Sequence, residues 1–260
     1  MDSRRGLQMW GPVGRWLFLN WPRGSWQYDL ICGAIIAGLF ILPNPPATPQ
    51  MGLDEVLAAI ETADAAVESF TADMTSTEHI AMFDDDEVEV GTVEFLKPNY
   101  FRRDITEPGP STYAIADGQI TVYLPRIRQA QIISLESAEE GGEEAAVVVP
   151  GLNSSAELKS AYDVSLDGVG EEDGSRVYRI RLIPHEGTTP AKHYQSIVLH
   201  VVEGEWHPAR RIVMENYSGD TTTVELTNVV RNAELEPDDF RIDLPPGTEI
   251  INQIRRGPTD

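Results

Sequence analysis

The sequence predicts a mainly β protein with helices, in which a strongly curved antiparallel sheet carries its helices on one face. Three observations predict it. Short segments with alternating apolar side chains, separated by turn residues, fill most of the chain after residue 70. A single long helical pattern precedes them. An acidic, glycine-bearing stretch, Glu136–Glu144, interrupts them midway.

The first element is a membrane segment. Residues 1–29 hold Arg4, Arg5, Arg15 and Arg23 with Trp10, Trp16, Trp21 and Trp26, and read as a cytoplasmic or interfacial lead. Leu30–Leu42 (LICGAIIAGLFIL) is an uncharged apolar run of 13 residues. At about 1.5 Å per residue it reaches about 20 Å, short of the ~30 Å hydrocarbon core. Counting from Trp26 to Pro43 brings it close to a single span. Arginines precede the run and acids follow it, which places residues 50–260 outside the cytoplasm. The rival reading is a cleaved signal peptide, whose apolar region is typically about 7–15 residues long. The long Trp-rich lead and the lack of an A-x-A-like site in Pro43-Asn44-Pro45-Pro46-Ala47 favour an uncleaved transmembrane helix over residues 30–43. Export is expected on either reading. Cys32, the sole cysteine, excludes an internal disulfide framework and a Cys-rich metal site. Tyr28 and Asp29 precede it where a lipoprotein signal needs apolar residues, so it reads as a small buried side chain.

Residues 44–52 are rich in proline and read as a stiff linker. The folded domain is expected over 53–251, with a tail at 252–260. It opens on a helix: Leu53, Val56, Leu57, Ile60, Ala63, Val67 and Phe70 recur at helical spacing, and Asp54 and Glu55 occupy the first turn, where the helix dipole favours them. Thr71–Phe83 follows as a strand with Met74, Ile80 and Met82 on one parity, then the turn Asp84-Asp85-Asp86, then Glu87–Leu96. In that run the apolar parity switches at Gly91, from Val88 and Val90 to Val93 and Phe95, which predicts a bulge and a bend. Tyr100–Thr106, Ser111–Ala116, Gln119–Leu124 and Gln129–Leu135 continue the series, with Asp117-Gly118 as a tight hairpin turn. Glu136–Tyr162 reads as an insertion, in the position of a lid. Strands resume at Asp163–Val169, Arg176–Ile183, Gln195–Val202, Ala209–Tyr217, Thr221–Val230 and Phe240–Leu244.

Charge and motifs exclude several function classes. Residues 1–50 carry a net charge of +2; the remaining 210 hold 16 basic and 40 acidic side chains, a net of −24. A surface of that sign repels phosphates, so no nucleic-acid partner is expected. None of His79, His185, His193, His200 and His207 falls in HExxH or at ligand spacing, and they read as strand-surface residues, with His200 and His207 flanking a hairpin turn. Asp84-Asp85-Asp86-Glu87 lacks the spacing of a calcium loop and reads as a solvated turn. No G-x-S-x-G elbow, triad order or Gly-rich phosphate loop occurs. The expectation is a protein without catalytic residues, metal or cofactor.

Two sets of motifs carry a family resemblance. Phe95-Leu96-Lys97-Pro98-Asn99-Tyr100-Phe101-Arg102 is followed by Tyr113-Ala114-Ile115-Ala116-Asp117-Gly118-Gln119 and Val122-Tyr123-Leu124-Pro125. Trp206-His207-Pro208 is followed by Tyr217–Val224, Leu226-Thr227-Asn228-Val229 and the closing F-x-x-x-x-P-x-G of Phe240–Gly247. In order and spacing these resemble the LolA-like outer-membrane lipoprotein carriers, over about Leu53 to Ile251. The resemblance implies an incomplete, strongly curved antiparallel β-barrel with a helical lid over an apolar concave face, which in that family takes lipoprotein acyl chains. It implies a periplasmic domain; that family's carriers are soluble shuttles, whereas the N-terminal apolar run is expected to keep this chain, single-pass, on the inner membrane of a bacterium. The family's arginine before Pro-Asn, which holds the lid closed, is replaced by Lys97, with Arg102 and Arg103 nearby as further lid or handoff candidates; lysine keeps the charge without the planar fork.

The side chains expected to line a lipid are Met74, Val93, Phe95, Phe101, Ile115, Val122, Leu124, Ile132, Leu199 and Met214, chosen as apolar residues on inward-facing strand positions. The expected function is carriage of lipoprotein acyl chains or another lipid, with an envelope protein as a candidate partner. The alternative from a different class is a periplasmic regulatory sensor of the anti-sigma-factor-modulator type, built on the same fold.

Overall fold

The strands join into a single sheet of twelve, in the order β12-β6-β5-β4-β3-β2-β1-β11-β10-β9-β8-β7. The structure is a computed structural model that describes residues 50–135 and 155–252. The expected membrane helix, most of the linker, the insertion as far as residue 154 and nearly all of the tail lie outside the described residues. Among the described residues no helix is long and apolar enough to cross a membrane.

The chain enters through α1 (Leu53–Ala66). Glu55 accepts the Gly52 N–H at 2.8 Å and so satisfies a donor before the first turn. Val56, Leu57 and Ile60 are its buried face. The helix stops at Ala66, short of the expected Phe70. Val67 is extended, and Phe70 is the second residue of β1 (Ser69–Ile80), where it is buried from a strand. An apolar run with period near 3.6 that continues into a strand hides that boundary, because Val67 and Phe70 are buried in either conformation.

β1 and β2 (Asp85–Leu96) form a long hairpin whose turn is Ala81–Asp84, a few residues before the expected one. Met82 and Phe83 stand at its tip, 84% and 73% exposed, so Met82 does not share the buried parity of Met74. β2 pairs with β1 without a register break. The irregularity near Gly91 belongs to the other side, where Val90 faces Glu107 and Gly91 faces Ile105 of β3 (Tyr100–Glu107). The extra residue is therefore in β3, at Thr106, whose hydroxyl donates to the Val90 carbonyl at 3.0 Å. The apolar residues Val88 and Val90 are simply on the outer face and exposed. Glycine is needed at 91 because a Cβ there would collide with the Asp104 carbonyl oxygen and stand 2.9 Å from Ile105 Cα.

β4 (Ser111–Ala116), β5 (Gln119–Leu124) and β6 (Gln129–Ser134) follow as hairpins. Asp117 and Gly118 both have positive φ, as a two-residue turn of the primed type requires. After α2 (Ser155–Ala161) come β7 (Tyr162–Glu172) and β8 (Ser175–Pro184), then the short α3 (Pro190–His193), β9 (Tyr194–Val202), β10 (Arg211–Asn216) and β11 (Thr221–Arg231). Register breaks lie between Thr71 and Asp73 of β1, opposite β11, between Leu166 and Gly168 of β7, and between Glu215 and Asn216 of β10. Each raises local twist. The result is an open, curled sheet that fits an incomplete barrel, with β7 and β12 at its two ends.

Two expectations fail at the C-terminus. Phe240–Leu244 is not a strand: Pro237–Phe240 is a 3-10 turn, and the chain then runs irregularly to β12 (Glu249–Asn252). β12 pairs parallel with β6, so the sheet is not wholly antiparallel. The 3-10 turn lies against β3 and β4, with Phe240 fully buried and its ring 5.6 Å from that of Tyr100.

Candidate functional site

Directly paired residues of neighbouring strands point to the same face, so the registers define the walls of the sheet. One inner row runs Phe70–Phe95–Phe101–Ile115–Ile120–Ile133 across β1, β2, β3, β4, β5 and β6. A second runs from Ser76 of β1 through Val224, Ile212, Leu199 and Ile180 to Leu166 of β7. Both belong to the face on which α1 buries Val56, Leu57 and Ile60. At a strand spacing of about 4.8 Å, each row of six is about 24 Å long.

Most of the expected lipid-lining residues fall on this face. Met74, Val93, Phe95, Phe101, Ile115, Leu199 and Met214 are buried in its core, and Val122 packs partly buried against them. Leu124 shares the face by alternation but is 38% exposed at the end of β5. Ile132 is on the opposite face, in the row Glu94–Arg102–Ala114–Thr121–Ile132; its neighbour Ile133 takes the inner position. The error has a cause. Ala114, Tyr123 and Ala130 on the outer face of β4, β5 and β6 are buried as well, so both parities of β6 read as apolar.

The three basic candidates divide. Lys97 follows β2 and reaches α1: its Nζ donates to the Asp64 carbonyl at 2.6 Å and stands 3.4 Å from Asp64 Oδ1. Arg102 is on the outer face, in the row of Glu94 and Ala114. It binds Asp104 at 2.6 Å and donates to the Asp239 carbonyl at 2.7 Å, clasping the C-terminal segment. In the same row, burial pushes the Glu94 carboxyl above its usual range, against the pull of Arg102. Arg103 is on the inner face, paired with Val93 and Tyr113.

Sequence reasoning missed His207. It is 1% exposed, not a strand-surface residue, and its Nε2 is 3.6 Å from Asp64 Oδ1. Neither atom has a hydrogen-bond partner among the described residues. The Phe70 ring meets the imidazole edge-on with centroids 6.3 Å apart, and Arg231 donates to the His207 carbonyl at 2.7 Å. Burial lowers the imidazole pKa, with Lys97 and Arg231 acting the same way and Asp64 against them. The quoted Lys97-Pro98-Asn99 and Trp206-His207-Pro208 motifs thus converge on the C-terminal end of α1. His200 instead pairs with Glu172 at 2.9 Å. A separate cavity of about 510 Å³ has Asp173, Glu205, Arg210 and Arg231 in its wall and contains none of the expected lipid residues.

Residues 65–243 match the family model described as outer membrane lipoprotein carrier protein LolA. Among solved structures, an uncharacterized conserved protein from Thermus thermophilus is similar at 14% identity, with 77% of this chain and 98% of that one covered and a TM-score of 0.51, which shows a shared fold. A LolA superfamily protein from Nitrosomonas europaea matches at 16% identity over 74% of this chain and 99% of its own, TM-score 0.41. The Mycobacterium tuberculosis lipoprotein LppX matches at 11% identity over 72% and 100%, TM-score 0.44. No curated protein sequence matches the chain.

Proposed function

The chain belongs to the LolA family of outer membrane lipoprotein carriers, and on that premise we propose that it holds acyl chains of a lipoprotein or other lipid against the inner face of its curled sheet. It does so outside the cytoplasm, tethered to the inner membrane by its N-terminal apolar run, and without catalysis. The observation that carries this reading is the unbroken apolar row from Phe70 to Ile133, one residue from each of six adjacent strands; the six are 1–7% exposed, so a tail reaches them by displacing the side chains that now cover them. Burying hydrocarbon there gains about 0.8 kcal/mol per CH₂, so a tail is held with no reactive group. Lys97 ties α1 to the strand turn beside that row, as a helix that covers a ligand would need.

The test is mass spectrometry of organic extracts of the purified chain, with uptake of a fluorescent fatty acid measured alongside. Co-purifying acyl chains and saturable uptake are expected. A chain that yields no lipid and takes none up is not a carrier.

One observation favours a second reading, docking of a protein partner. The β1–β2 hairpin ends in the exposed pair Met82 and Phe83 beside Asp84, Asp85 and Asp86, and Glu78 directly faces Glu87. Like charges set opposite are unfavourable alone and are relieved by a basic partner. On this reading a double Met82→Ser, Phe83→Ser change abolishes recruitment of an envelope partner and leaves lipid uptake intact.

A further inference from the structure

Arg103 is a cation set into the apolar wall. Its row runs Val93–Arg103–Tyr113–Val122–Gln131, and its neighbours on the same face of β3, Phe101 and Ile105, are buried. The side chain is half-buried. Arg102, one residue earlier and on the other face, is paired with Asp104; Arg103 has no ion pair among the described residues. On the inner face of the adjacent β2 the next carboxylate is Glu89, four residues from Val93 and so about 13 Å along the strand, with Gly91 between them.

A partly desolvated guanidinium without a counter-charge is unfavourable. Its stem suits the apolar wall, and its head then needs an anion. The row supplies none at that height, whereas a bound amphiphile does: Phe101 is the third of the six residues in the long apolar row and is two residues from Arg103, so a tail laid from Phe101 toward Ile133 leaves its head group at the guanidinium. We propose that Arg103 is the head-group site of the trough and selects anionic amphiphiles, whose carboxylate or phosphate accepts two N–H bonds from its fork. The inference rests on the acyl-chain reading above and adds the charge of the ligand.

The test uses the full-length chain and three probes with the same tail, titrated calorimetrically below their micelle concentrations: oleate, oleoyl-lysophosphatidylglycerol and the uncharged monoolein. One or both anionic probes are expected to bind about 10-fold or more tighter than monoolein, the scale of a charge-assisted pair. Arg103→Gln brings them to the monoolein level and leaves monoolein unchanged, and Arg103→Lys restores part of the difference. Which probe loses affinity separates a carboxylate from a phosphate ligand. Equal binding of all three by the wild-type chain, or an Arg103→Gln protein that loses monoolein as much as oleate, overturns the assignment and leaves acyl binding standing. Failure of every probe to bind overturns the acyl-chain reading itself.

Discussion

Lys97 Nζ reaches the carbonyl oxygen of Asp64 at 2.6 Å, a carbonyl that also accepts the Val67 N–H at 3.0 Å. α1 has no basic residue in its own last turn, so the charge that its C-terminal dipole favours comes from the turn after β2. Both partners are largely buried side chains, which places the contact above the near-zero worth of an exposed ion pair.

Lys97→Met should therefore cost about 1–2 kcal/mol, the scale for removing one partner of a charged hydrogen bond. Lys97→Arg should retain most of that stability. Urea unfolding midpoints measure the difference, and amide exchange localises it: the last turn of α1 should lose protection in Lys97→Met before the strands do. An unchanged exchange pattern in α1 would show that the contact does not hold the helix.

Gly91→Ala tests the bend between β2 and β3. The new methyl meets the Asp104 carbonyl, which is backbone and cannot rotate away. The expected loss is about 1–3 kcal/mol, as for overpacking elsewhere. Gly118→Ala is the control: nothing lies within 4 Å of a Cβ there, so its cost is the strain of φ +72° alone. Thermal or urea unfolding that places Gly91→Ala at or above Gly118→Ala would be evidence against a close strand contact.

These positions mark how much is legible in the sequence. The hairpins from β3 to β6 are legible nearly to the residue, because turns that carry glycine or proline and period-two alternation are local signals. The irregularity at Gly91 is placed by the sequence at the right step and on the wrong strand, since Val88 and Val90 on the outer face imitate a parity switch. Alternation selects Ile132 over Ile133 because Ala130 is buried on the outer face, and alternation reports burial rather than side. Asp64, Lys97 and His207 lie far apart in sequence, so their meeting leaves no local pattern.

His207 gives the fold a pH dependence of definite sign. Its imidazole pKa is lowered from 6.5 by burial, so the folded state binds fewer protons than the unfolded chain. The stabilisation is fully present above about pH 6.5 and is lost as pH falls toward the lowered folded value. His79 acts in the opposite sense: its bond to Asp86 raises its pKa, so its contribution is present below 6.5 and fades as pH rises through the raised value. Urea midpoints between about pH 8 and pH 5, taken in His79→Gln and in His79→Gln with His207→Gln, separate the two. The single variant should weaken toward the acid end more steeply than the double variant, and parallel curves would remove His207 as the source.

Phe240 carries the last prediction. The motif that ends Phe240-Arg241-Ile242-Asp243-Leu244-Pro245 suggests the start of a strand. Instead Phe240 plugs the outer face of the sheet, fully buried beside Tyr100, while Arg102 donates to the carbonyl of Asp239 and Arg241 holds Asp117 at 2.8 Å. The segment is thus fastened to the back of the same strands whose fronts form the apolar row. Phe240→Ala should cost about 3–5 kcal/mol, as for other buried phenylalanines, and Phe240→Leu much less. If the plug and the trough are independent walls, Phe240→Leu binds oleate as the wild type does. An oleate affinity that falls with Phe240→Leu while stability holds would show that packing on the outer face sets the shape of the inner one.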